Sequence, residues 1–183
     1  MSQKEITISG VGGQGLILSG TLIAEAAAII DRKKATLSSE YGVETRGTFA
    51  KSDVIVSDEE IYFPNVTKPD FIICLHQIAY ERYLGKVEEG TVLIYDSGEV
   101  TPKEGNKGKE VSVDITAMAK ELGEPATANI ITIGLIVGAA EVISTEAAKA
   151  KIAEFLGGKG QSVVDLNLRA FDMGYEKGKQ LEV

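Results

Sequence analysis

Residues 6–20 read ITISGVGGQGLILSG, a short apolar run that enters a glycine-rich loop and continues into a second apolar run. The pattern G-x-G-x-x-G between a strand and a helix is typical of phosphate-binding loops. Glycines let backbone N–H groups approach an anion, and a helix N-terminus adds about half a positive charge. We therefore expect an anion-binding loop, with a tight turn that binds nothing as the alternative. The residues expected to face a cofactor or partner anion are Gly10, Gly12, Gly13, Gln14 and Gly15.

Strand-like and helix-like segments alternate along the rest of the chain. Runs such as FIICL (71–75) are continuously apolar, as expected of buried parallel strands, and QIAYERYLGKV (77–87) has helical spacing. The expected fold is α/β: a single-domain, layered Rossmann-like sheet over residues 1–183, mostly parallel, with flanking helices. C-terminal helices are expected at about 145–181, and Asn129 is a candidate cap of the apolar helix before them.

Composition excludes several classes of function. The net charge of −8 and the pI of about 4.8 disfavour nucleic-acid partners. The single cysteine and single histidine, Cys74 and His76, are too few for a zinc site or a four-cysteine cluster. No apolar run is long enough to suggest a membrane span, and residues 1–10 lack the apolar run expected of a secretion signal. We expect a cytoplasmic protein without a metal of its own.

Four further residues are site candidates. Arg46, on a glycine-flanked loop, can clamp a phosphate or carboxylate with two hydrogen bonds, or lie in solvent near Glu40 and Glu44. His76 and Asp96 follow apolar strands and are candidate titrating groups or simple caps. Glu40 is the candidate ribose ligand of a dinucleotide site. These residues predict anion binding without a catalytic set. The loop, His76–Gln77 and Asp96–Ser97 are expected to gather at the carboxyl ends of the strands.

Three stretches together resemble one family. They are ISGVGGQGLILSGTLIAEAA (8–27), YGVETRGTFAKSDVIVSDEEIYFPNV (41–66) and PDFIICLHQIAYERYL (69–84). The chain is similar, over nearly its whole length, to the gamma subunit or gamma domain of 2-oxoacid:ferredoxin oxidoreductases. The motif positions that match are the glycine loop, then Tyr41, Gly42, Glu44, Arg46 and Gly47, then Gln77, Ala79 and Tyr80.

The resemblance implies a subunit that is inactive by itself. The family converts a 2-oxoacid, coenzyme A and oxidised ferredoxin into an acyl-CoA, carbon dioxide and reduced ferredoxin. Thiamine diphosphate, its Mg²⁺ and the iron–sulfur clusters are then expected on partner subunits (alpha, beta and a ferredoxin-like delta). The gamma subunit would support assembly and the cleft that coenzyme A enters. The 2-oxoglutarate enzyme is the best match among the branches.

Some positions depart from the family pattern, and alternatives stay open. Val43 replaces a usual proline, Thr48 a usual glycine, and His76 a small polar residue. The chain is alternatively a pyruvate, branched-chain 2-oxoacid or indolepyruvate version, a stand-alone NAD- or FAD-binding dehydrogenase, or a non-catalytic interaction module. A homodimer of the isolated chain is a further expectation. The YGVETRG loop (41–47) and the helix with Tyr80 and Tyr83 are the candidate partner surfaces.

Overall fold

The computed structural model describes residues 3–42 and 47–183. Within these ranges six strands form one sheet, with helices on both of its faces. The strands are β1 (Lys4–Val11), β2 (Lys34–Tyr41), β3 (Phe49–Ser57), β4 (Phe71–Cys74), β5 (Val92–Asp96) and β6 (Lys109–Val113). The helices are α1 (Leu16–Glu25), α2 (Gln77–Tyr83), α3 (Ile115–Glu121), α4 (Ala128–Ala140), α5 (Thr145–Leu156) and α6 (Gln161–Lys179). A π-helical turn, Ala26–Ile30, extends α1, and two 3₁₀ turns are Pro125–Thr127 and Gly157–Lys159.

The sheet has the order β2-β3-β1-β4-β5-β6. Strands β1, β4, β5 and β6 are parallel, whereas β3 runs antiparallel to both of its neighbours, β1 and β2. The expected α/β fold with a mostly parallel sheet is confirmed. The β2–β3 hairpin at one edge is an antiparallel addition to it.

The two faces of the sheet are covered unequally. One face carries the main core, in which Ile6, Ile8, Ile73 and Ile94 pack against α1, α3, α4, α5 and α6. The other face carries α2 and a smaller cluster that includes Ile72, Cys74, Tyr80 and Leu93. Strands β4 and β5 contribute to both clusters because successive side chains point to opposite faces. No helix in the described part of the chain is both long and apolar enough to cross a bilayer.

Helix α1 lies unusually close to the sheet. A Cβ on Gly20 would overlap Ser52 Oγ of β3, so only glycine allows this approach. Ser52 Oγ is buried and has no hydrogen-bond partner among the described residues. The close packing of α1 fixes where its N-terminus, and hence the glycine loop, stands relative to the hairpin.

Candidate functional site

The glycine loop lies at the carboxyl end of β1 and begins α1. Gly13 and Gly15 have φ values of 103° and 75°, a region that favours glycine. Gly15 is the N-cap of α1, and a Cβ there would also come within 2.6 Å of Asn129 Nδ2. The loop therefore needs glycine for its shape, and the first turn of α1 is left without a side-chain cap.

The Gln14 side chain folds back across the loop. Its Oε1 accepts a hydrogen bond from Val11 N at 2.8 Å, and its Nε2 donates to Leu75 O at 2.9 Å. A Cβ on Gly10 would overlap Gln14 Oε1. Gly10 thus makes room for an amide that joins the ends of β1 and β4.

The backbone N–H groups of the loop differ in availability. Gly12 N donates to Thr48 O at 2.9 Å, and Gln14 N donates to Val11 O at 3.3 Å. Gly13 is exposed, and no acceptor for its N–H lies among the described residues. The N–H groups of Gly12 and Gln14 are therefore engaged within the protein, and that of Gly13 faces solvent.

Two clefts flank the loop. The first, here called the hairpin groove, has a volume of about 700 Å³ and lies between the loop, α1 and the hairpin. Its lining is mainly apolar and includes Leu16, Ile17, Tyr41 and Ala50. The second, about 540 Å³, lies at the carboxyl ends of the parallel strands and is lined by Gln14, Asp96, Glu99, Thr116 and Asn129, among others. The second cleft carries two carboxylates, which repel an anion, whereas no carboxylate among the described residues lines the hairpin groove.

Arg46 lies outside the described residues, which stop at Gly42 and resume at Gly47. Thr48, next to Gly47, accepts a hydrogen bond from Gly12 N through its backbone oxygen. The hairpin and the loop are therefore joined directly, and Gly42 and Thr48 line the hairpin groove.

His76 and Asp96, the polar candidates at the ends of β4 and β5, accept hydrogen bonds from nearby backbone N–H groups. His76 is the N-cap of α2, where its Nδ1 accepts from Ile78 N at 3.2 Å. Asp96 accepts from Gly98 N at 3.1 Å and from Thr116 N at 3.1 Å, and is buried. Asp96 lines the second cleft together with the glycine loop, as expected, but its carboxylate is used to hold the β5 turn and α3.

One expectation from the sequence is wrong. Asn129 does not cap α4: Thr127 holds the N-cap position, and the Asn129 side chain packs against Gly15 instead. Tyr80 lies in the core, since it is fully buried, with its hydroxyl donating to Glu110 and accepting from Lys103 N. The helix that carries it still has exposed residues, such as Ile78, and its role as a partner surface stays a prediction. Burial is the main cause that raises the pKa of Tyr80.

Glu40 does not occupy a ribose-binding position. It lies on β2, two strands away from β1, and pairs with Arg82 Nη2 at 3.3 Å. A dinucleotide fold requires its acidic residue at the end of a parallel strand beside the first. Here the antiparallel β3 occupies that place, which argues against the dehydrogenase alternative.

The sequence does not fit an iron–sulfur cluster or a zinc site. A cluster needs four thiolates and the full chain has one cysteine. Cys74 is buried, and burial raises the pKa of its thiol to about 12, so it stays protonated at neutral pH. Among the described residues, no three histidine, cysteine, aspartate or glutamate side chains are grouped to hold a metal ion.

Known proteins match this chain along its length. The family described as pyruvate ferredoxin/flavodoxin oxidoreductase matches residues 5–177. The 2-oxoglutarate synthase subunit KorC of Methanocaldococcus jannaschii is 38% identical, covering 98% of this chain and 96% of that protein. Subunits named for ketoisovalerate and pyruvate, VorA of Methanothermobacter thermautotrophicus and PorC of Methanothermobacter marburgensis, match at 26% and 30% identity.

Solved structures match the fold as well. The gamma subunit of a keto/oxoacid ferredoxin oxidoreductase from Geobacter sulfurreducens has a TM-score of 0.81 and 37% identity, covering 97% of this chain and 99% of that one. The 2-oxoglutarate:ferredoxin oxidoreductase of Magnetococcus marinus, solved with 2-oxoglutarate, coenzyme A and succinyl-CoA, has a TM-score of 0.90 and 28% identity. The match covers 99% of this chain and 32% of that longer one. This chain belongs to the pyruvate ferredoxin/flavodoxin oxidoreductase family.

Proposed function

We propose that this chain is the gamma subunit of a 2-oxoglutarate:ferredoxin oxidoreductase. The complex would convert 2-oxoglutarate, coenzyme A and oxidised ferredoxin into succinyl-CoA, carbon dioxide and reduced ferredoxin. The observation that carries the proposal is the 38% identity to a KorC subunit over nearly the whole of both chains. The lower identity to the ketoisovalerate and pyruvate subunits ranks those substrates second.

The gamma subunit in this proposal holds no redox group. Thiamine diphosphate with its Mg²⁺ and the iron–sulfur clusters would lie on alpha, beta and ferredoxin-like delta subunits, and ferredoxin would dock on the complex. The single cysteine supports this division, since no cluster is held by one thiolate. One cysteine also agrees with the reducing cytoplasm, where we place the complex.

Purification of the complex from its own cells, under argon, tests the substrate. The expected result is that this chain co-purifies with larger subunits, iron and thiamine diphosphate, and that coenzyme-A-dependent reduction of ferredoxin is fastest with 2-oxoglutarate. Faster turnover of pyruvate or 2-oxoisovalerate would reassign the substrate. A chain that purifies alone and binds NAD or FAD would replace the proposal with the dehydrogenase alternative.

We also propose that the glycine loop and Arg46 help to bind coenzyme A. The uncapped start of α1, with the exposed Gly13 N–H, offers partial positive charge to a phosphate. The adjoining hairpin groove offers apolar walls to the rest of the molecule. Arg46 would add a charge-assisted pair to one phosphate.

Replacement Arg46→Ala in the assembled complex tests this role. Loss of a charge-assisted phosphate contact is expected to raise the KM for coenzyme A by about tenfold or more, and to leave the KM for 2-oxoglutarate unchanged. Arg169→Ala, which removes an exposed arginine from α6, is the matched control. If Arg46→Ala changed neither the KM for coenzyme A nor assembly of the complex, Arg46 would have no such role.

A further inference from the structure

The outer wall of the hairpin groove stands at the free edge of the sheet. Strand β2 pairs with β3 and with no other strand among the described residues. Ser39 and Tyr41 of β2, together with Thr48 and Ala50, form this wall, and α1 with the glycine loop forms the other. An edge hairpin is free to twist or splay. The width of the groove therefore depends on whatever holds the hairpin.

One helix reaches the hairpin from the opposite face of the sheet. Arg82, in the last turn of α2, places its guanidinium carbon 4.1 Å from the centre of the Phe49 ring. Nη2 of the same guanidinium lies 3.3 Å from Glu40 Oε1. Glu40 is near the end of β2 and Phe49 begins β3, so a single side chain contacts both strands where they approach the tip.

A second chain of contacts ties the same region to β1. Lys51 Nζ lies 2.6 Å from Asp53 Oδ2 and 3.9 Å from Glu40 Oε2. Asp53 in turn accepts a hydrogen bond of 2.7 Å from Thr7 Oγ1, in the buried part of the sheet. Asp53 is thus anchored in the interior, and Glu40 is shared between Lys51 and Arg82.

A shift of the hairpin would move the glycine loop directly, because a backbone hydrogen bond joins them. Gly12 N donates to Thr48 O at 2.9 Å, directly after the tip, and Gly42 N donates to Phe49 O at 3.3 Å. Phe49, which stacks with Arg82, directly follows Thr48, which is hydrogen-bonded to the glycine loop. The position of Arg82 is therefore coupled to both walls of the groove.

We propose that Arg82 is a positioning residue: from the opposite face of the sheet, it sets the width of the hairpin groove and so the affinity of the complex for coenzyme A. The inference rests on the proposed function, since it takes the groove as the place where coenzyme A binds. Arg82 contacts neither wall of the groove directly and acts through Phe49 and Glu40.

Two measurements on the assembled complex test this role. Arg82→Ala is expected to speed amide hydrogen exchange in peptides covering 38–42 and 47–51. It is also expected to raise the KM for coenzyme A by about three- to tenfold, because one cation–π contact and one exposed ion pair are lost. The kcat is expected to change by less than about twofold. Arg82→Lys keeps the charge but loses the flat guanidinium, so it should give intermediate values.

Lys149→Ala is the matched control. Lys149 also joins one exposed ion pair, to Asp172 Oδ1 at 2.6 Å, and one cation–π contact, 5.9 Å from the centre of the Phe171 ring. Lys149 lies on α5 and its side chain reaches α6. Its replacement should change neither amide exchange in the hairpin nor the KM for coenzyme A.

The outcomes separate this inference from the function on which it rests. Unchanged exchange in the hairpin of Arg82→Ala would overturn the positioning role. A raised KM with unchanged exchange would also overturn it, because Arg82 would then act on the ligand itself. Faster exchange with an unchanged KM would keep Arg82 as a brace but would remove coenzyme A from the groove, and with it that part of the proposed function.

Discussion

Gly10 and Gln14 show how single residues shape the loop. The motif predicts glycines that clear the way for an anion, whereas Gly10 clears the way for the amide of Gln14. That amide satisfies Val11 N and Leu75 O, two backbone groups at the ends of neighbouring parallel strands. Gly10 and Gln14 therefore serve to join the two strand ends. Gly13 is the exposed residue of the loop.

Replacement Gly10→Ala is expected to destabilise the fold by about 1–3 kcal/mol. The new methyl group would displace the Gln14 amide and leave two backbone groups without their partner. Urea denaturation of the purified chain, followed by circular dichroism, measures the change in the free energy of unfolding.

Gly157→Ala is the control for this substitution. Gly157 has φ −55° and ψ −32°, and a Cβ there meets no atom within 4 Å. Its replacement is expected to be neutral or stabilising by a few tenths of a kcal/mol. Equal stability of the two variants would show that Gln14 does not depend on Gly10.

Helices α4 and α6 pack through glycines on both partners. A Cβ on Gly134 would overlap Phe171 O, and one on Gly174 would overlap Ile131 O. Gly138 and Gly178 repeat this contact one turn further along each helix. Small residues at this spacing let two helix backbones touch. The glycines of α4 and α6, which look unfavourable for helix formation, are explained by this contact.

Replacement Gly174→Ala is expected to destabilise the protein by about 2–4 kcal/mol, even though alanine is the better helix former. The methyl group meets backbone atoms of α4, which move only if the helices separate. A fall in the thermal unfolding midpoint measures the effect. Gly158→Ala, at a site with no atom within 4 Å, should leave the midpoint nearly unchanged. A harmless Gly174→Ala would mean that the two helices tolerate a wider separation.

On the scale of the whole molecule, few helices cover the side that carries the β2–β3 hairpin. Most helices lie on the main-core face, and the connection between β3 and β4 carries two exposed aromatic residues. Tyr62 is 93% exposed and Phe63 is 58% exposed, and Tyr41, at the other end of β2, is 69% exposed. Exposed aromatic residues are typical of protein interfaces. We expect this side to contact the other subunits in the proposed complex.

The double replacement Tyr62→Ser with Phe63→Ser is expected to weaken binding to the remaining subunits by about 30-fold or more, the scale of an interface hot spot. Phe155→Ser, which removes a 48% exposed aromatic side chain from α5, is the control. Titration of the purified chain into a complex lacking it, monitored by native mass spectrometry, gives the affinity. Unchanged affinity of the double variant would place the subunit interface elsewhere.

The local elements of this protein follow from the sequence alone. Apolar runs such as 71–75 and the glycine loop predict strands and a loop because side-chain period and turn chemistry act over a few residues. The parallel α/β sheet follows from the alternation of those elements. A parallel sheet places the ends of its strands on one side, and so predicts that Asp96 and the glycine loop lie near each other. The structure has both of them lining the second cleft.

Long-range placement was decided only by the tertiary structure. Nothing local to Glu40 indicates that β3 will insert beside β1, or that Arg82, from another helix, will hold the hairpin. Asn129 looks like a cap because its sequence neighbours are helical, but its neighbour in space is Gly15. These contacts join residues tens to more than a hundred positions apart. Their energies depend on which surfaces meet, and that is determined only when the sheet and its helices pack as a whole.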